Sequence, residues 1–132
     1  QYRVRIDSEE PSDRLYRTAH VVILQDEYPP GGPDAVAEDV EQVLDSMKEI
    51  LTLVGRSADA KKIAAAGRVP PGRLCDLACH CLGFDSSLKQ SLLAEQFVAR
   101  RAETLLAWMQ TLLKTIERRI NPKGQPPEFS MN

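Results

Sequence analysis

Aromatic residues are scarce in this chain, 5% of 132 residues, so a folded core has to be built from aliphatic side chains. Histidine occurs twice, which leaves few partners for acid–base or nucleophilic chemistry. No apolar run approaches the ~18 residues of a membrane-spanning helix. No basic segment followed by an apolar stretch opens the chain, so no secretory leader is read there. Positive charge is not in excess: the net charge is −2. That argues against nucleic-acid binding, which needs a strong basic footprint. The three cysteines, Cys75, Cys79 and Cys81, form an odd, crowded set that makes a poor disulfide framework. A reducing, cytoplasmic setting is therefore expected.

What is present is a short alternating segment followed by amphipathic helices, all within the length of one domain. Residues 2–6, YRVRI, alternate as a strand does, with Tyr2, Val4 and Ile6 on one face and Arg3 and Arg5 on the other. A polar stretch from Asp7 to Asp13 reads as the turn, and residues 15–24, LYRTAHVVIL, as the second strand of a hairpin. A hairpin alone is marginal in water, so it must pack on something or belong to a larger sheet. Residues 1–27 form this unit, and residues 28–33, rich in Pro and Gly, link it to a helical part at 34–121. Residues 122–132 read as a disordered tail.

Within the helical part, Val36, Val40, Val43, Met47, Ile50 and Val54 mark a helix over 34–54. Its acidic start suits the helix dipole, and Gly55 stops it. A short helix follows at 57–67. Pro70 and Pro71 break the chain before a helix from Gly72 to about Leu82. Asp85 or Ser86 caps the next helix, which runs to about Glu95. The longest spans 97–120, with Val98, Ala102, Leu105, Met109, Leu112 and Ile116 as its stripe, and ends before Pro122. The predicted fold is thus α+β and mostly α, a β-hairpin followed by a four- to five-helix bundle.

Candidate sites are few. Cys75, Cys79, His80 and Cys81 offer zinc-type ligands, but on one straight helix they cannot converge tetrahedrally. They read as small buried hydrophobes, with no metal and no cofactor expected. His20 and His80 lie on different elements without a nucleophile elbow. Arg100, Arg101, Arg118 and Arg119 read as a solvated face, Trp108 as part of the core. If the chain binds other proteins, the edge at Tyr2, Val4 and Ile6, the residue Trp108 and the pair Arg100–Arg101 are the candidate surfaces.

The landmarks Pro71-Gly72-Arg73-Leu74-Cys75-Asp76, Leu88-Lys89-Gln90-Ser91-Leu92-Leu93 and Val98-Ala99-Arg100-Arg101-Ala102 occur in an order that resembles the amino-terminal domain of the Lon ATP-dependent protease family. Tyr16-Arg17-Thr18-Ala19-His20-Val21 resembles the last strand of that domain's PUA-like barrel, and Gln25-Asp26-Glu27 the acidic segment after it. Phe97 and Cys79-His80-Cys81 depart from the family pattern. The resemblance covers the second half of the domain, so the hairpin is expected to be a remnant of the barrel and the chain a fragment or a reduced stand-alone form. It implies a non-catalytic role in substrate recognition or assembly, with unfolded or damaged proteins as partners, self-association, and no nucleic acid or membrane. Lon chemistry resides in separate domains, and this chain shows neither the Ser–Lys dyad nor a phosphate-binding loop. The alternative is a small helical scaffold or adaptor that self-associates with no protease link. A hydrolase has no constellation to support it.

Overall fold

The structure, a computed structural model, describes residues 2–65 and 69–122. Strands β1 (Arg3–Glu10) and β2 (Thr18–Leu24) pair antiparallel as a hairpin. A 3₁₀ helix at Gly32–Val36 leads into α1 (Ala37–Leu53). Then come α2 (Ser57–Ala65), α3 (Pro71–Cys81), α4 (Ser86–Ala94) and the long α5 (Val98–Ile120). The α+β, mostly helical architecture expected from the sequence is the one observed.

Some boundaries differ, each for a local reason. β1 runs on through Asp7–Glu10, where a turn was expected, because a bulge between Ile6 and Ser8 absorbs the extra residue Asp7 and lets the ladder continue. Pro11, which has no N–H to give the ladder, ends it instead. β2 accordingly starts at Thr18, leaving Leu15 and Tyr16 exposed in the turn. The helix expected at 34–54 begins as 3₁₀, because Gly31 and Gly32 both hold positive φ (100° and 71°) and turn the chain sharply into Pro33. Gly55 (φ 81°) closes α1 as expected, with the Arg56 N–H donating to the Leu51 carbonyl at 2.7 Å. Asp85 caps α4, its carboxylate accepting from the Leu88 N–H at 2.8 Å. Gly67, read as the end of the helix at 57–67, and residues 123–132 of the tail lie outside the described residues.

The core is aliphatic. α1 supplies Val43, Met47 and Leu51, and α5 supplies Val98, Ala102, Leu105 and Met109, all fully buried. α3 closes one side with Leu74, Cys75, Ala78 and Cys79, and α4 adds Leu92. Among the described residues no aromatic side chain is fully buried. Trp108, expected in the core, is 43% exposed, because one residue before Met109 it is turned about 100° off the buried stripe.

The hairpin stands largely outside this core. Directly opposed residues share a face, so Val4 with Ile23 and Ile6 with Val21 form one apolar face. Those four side chains are 47–61% exposed, and Tyr2 at the same face is 80% exposed. The face is largely open, with α4 approaching β1 at its Tyr2–Val4 end.

Candidate functional site

One residue on α5 breaks the rule that the apolar stripe carries apolar side chains. Arg101 lies three residues after Val98 and four before Leu105, on the buried face, and its side chain is 0% exposed. A guanidinium there must have every donor satisfied. Its Nε donates to the Glu95 carbonyl at 3.1 Å. Nη1 donates to the Gly72 carbonyl at 3.1 Å and to the Asp76 carboxylate at 3.0 Å. Nη2 donates to the Asp26 carboxylate and to the Glu95 carbonyl, both at 2.8 Å. The five contacts match the five N–H groups.

Arg3, from the start of β1, enters the same cluster. It pairs with Asp26, lies 3.5 Å from Asp76, and donates to the carbonyls of Leu93 and Glu95, both at 2.9 Å. Asp26 is brought in by a short parallel bridge, in which the Glu27 N–H donates to the Gln96 carbonyl at 2.9 Å and the Val98 N–H to the Glu27 carbonyl at 3.0 Å. Gly72 makes room for it: a Cβ at that position would overlap the Asp26 carboxylate. The Gly72 N–H meets the Tyr28 hydroxyl at 3.3 Å. Burial pushes the Asp76 carboxyl above its ordinary value of 3.8, against the pull of Arg101 and Arg3.

The cluster fixes the base of β1 against α3 and α4, and a groove of about 900 Å³ opens beside it. Tyr2, Arg3 and Val4 form one wall, Arg73, Asp76, Leu77 and His80 of α3 another, and Lys89 and Leu93 of α4 the third. Leu93, Val4 and Tyr2 are exposed apolar groups there, so the groove is continuous with the bare face of the hairpin.

The candidates from the sequence fall in different places. Tyr2 and Val4 line the groove, and Ile6 lies farther along the same face. Arg100 is exposed and stacks over the Phe97 ring at 4.8 Å. Arg101 does not belong to a solvated face or a binding surface; it is buried, for the reasons just given. Trp108 lies on α5 and does not line the groove. Arg3, Asp26, Gly72 and the groove residues Arg73 and Lys89 were not read as site residues, and His80 was weighed only as a metal ligand or catalytic base. For Arg101 the signal was present in its i+3 and i+4 spacing within the stripe. For Asp26 and Arg3 there is no such signal, since their partners lie 23 to 92 residues away.

The other candidate residues stay apart. His20 pairs with Glu10 at 2.5 Å on the polar face of the hairpin, while His80 lies at the end of α3. Cys75 and Cys79 are buried and Cys81 is half-buried. Burial pushes the Cys75 thiol up to about 12 and the Cys79 thiol up to about 11, so both remain protonated and unreactive at neutral pH. Among the described residues no three His, Cys, Asp or Glu side chains gather as metal ligands.

Two outcomes follow. Gly72→Ala should lower stability by about 1–3 kcal/mol in chemical denaturation. In an Asp26→Ala background the loss should largely vanish, whereas simple additivity would contradict the steric pairing. With iodoacetamide, native protein should be alkylated at Cys81 first, and at Cys75 and Cys79 only on unfolding. The two buried thiols keep their protons in the folded state while the unfolded chain releases them near 9.0, so they contribute stability below pH 9 that is lost as pH rises toward 11–12.

Comparison with known proteins gives one finding. The family model for the ATP-dependent protease La (LON) substrate-binding domain matches residues 1–111. No curated protein matches the chain. The match spans most of the sequence, including both strands, the buried ion cluster and the groove. The chain belongs to the family of Lon substrate-binding domains.

Proposed function

We propose that this chain recognises unfolded or damaged protein segments for a Lon-type ATP-dependent protease, in the cytoplasm, and breaks no bond itself. The observation that carries this reading is the bare apolar face of Tyr2, Val4, Ile6, Val21 and Ile23, running into a groove held in shape by a buried ion cluster. Contiguous exposed apolar faces mark interaction sites, for a substrate or for further strands of the sheet to which the hairpin is expected to belong. The surface is shallow and aliphatic, so it would tolerate many sequences, as a receptor for unfolded chains must.

The backbone offers a second mode of capture. In the two-stranded sheet each strand has one edge without a neighbour among the described residues. An extended segment could add there through main-chain hydrogen bonds, with its side chains in the groove. The same edges favour self-association when no substrate is present, and a role in assembling the protease would use the same face.

Binding of a permanently unfolded model protein, followed by light scattering and fluorescence anisotropy, tests the reading. The unfolded form should bind and its folded counterpart should not. Replacing Val4 and Ile23 with Asp should weaken binding about tenfold or more while the helical circular dichroism is retained. Stable self-association with no complex would instead favour the scaffold reading.

A further inference from the structure

We propose that the groove selects extended segments in which carboxylates flank apolar side chains. This rests on the substrate-recognition reading above and adds a chemical preference to it. The whole chain is slightly acidic, with net charge −2, yet the groove is not. Its one lining carboxylate, Asp76, is already held by Arg101 at 3.0 Å and by Arg3 at 3.5 Å. Arg73 and Lys89 also line it, on α3 and α4, and neither makes an ion pair or a side-chain hydrogen bond among the described residues. Arg3, Arg5, Arg14, Arg17 and Arg56 each have an acidic or aromatic partner; these two cations face an open cleft instead.

Each wall also carries an apolar side chain, Val4, Leu77 and Leu93. A bound segment would place aliphatic side chains against Val4, Leu77 and Leu93 and a carboxylate within reach of either cation. Cations on a partly enclosed apolar rim raise selectivity and association rate more than raw affinity. Buried apolar contact supplies the affinity and charge decides among segments of similar hydropathy. Lysine-rich segments would be rejected by like-charge repulsion.

The test uses three peptides with one shared aliphatic centre, flanked by Glu, Gln or Lys, titrated against the full chain. The Glu peptide should bind about tenfold more tightly than the Gln peptide, and the Lys peptide most weakly, with the gap shrinking at high salt. Arg73→Glu with Lys89→Glu should reverse the order; both positions lie outside the buried cluster. Equal binding of the three peptides would overturn the charge preference and leave the recognition reading intact. A Glu preference that survives the double substitution would overturn the assignment to this groove. Binding of none of the peptides, together with no binding of an unfolded protein, would defeat both. The wild-type comparison needs no variant, so a misfolded mutant would not obscure the answer.

Discussion

The guanidinium of Arg101 ties together parts of the chain that lie far apart in the sequence. Its five donors reach Asp26 after the hairpin, Gly72 and Asp76 at the head of α3, and the Glu95 carbonyl before its own helix. Arg3 extends the same network into β1. A buried ion cluster is seldom a net source of stability when compared with well-packed apolar residues of the same size. Its value here is geometric. The planar fork admits one arrangement of its partners, so it sets where the hairpin stands on the bundle.

That placement joins two parts that are held in different ways. The helical part has its own aliphatic core, centred on Met47, Leu51, Leu105 and Met109, which does not need the hairpin. The hairpin has no core of its own, since both its apolar face and much of its polar face are open to solvent. It is held by polar contacts at one end, through Arg3 and the bridge between Glu27 and Phe97. The aliphatic core and the exposed hairpin are therefore different regions, and the ion cluster is the joint between them.

Much of this architecture was legible in the sequence. The stripes of α1 and α5, the glycine stop at Gly55, the cap at Asp85 and the proline break before α3 are local signals, and the structure follows them. The errors came where a local rule met a partner far along the chain. Arg101 sits beside Arg100, and two adjacent basic residues invite a surface reading; the spacing to Val98 and Leu105 pointed inward, but only Asp26 and Asp76 make that position tenable. The polar run after Ile6 reads as a turn until the bulge at Asp7 is known. Three of the segments that carried the family resemblance, Gln25–Glu27, Pro71–Asp76 and Val98–Ala102, contain Asp26, Gly72, Asp76 and Arg101, which converge on one cluster. The groove was not legible, because its walls come from β1, α3 and α4, and its cations look like ordinary solvated residues on each element taken alone.

The most direct measurement is residue-by-residue amide hydrogen exchange in the native protein and in Arg101→Lys, which keeps the charge and loses the fork. If the guanidinium holds the hairpin on the bundle, exchange should accelerate about tenfold or more in β1, around Glu27 and at the start of α5, while the amides near Met47 and Leu105 keep their protection. Unchanged protection at β1 and Glu27, or an equal loss across all helices, would contradict it.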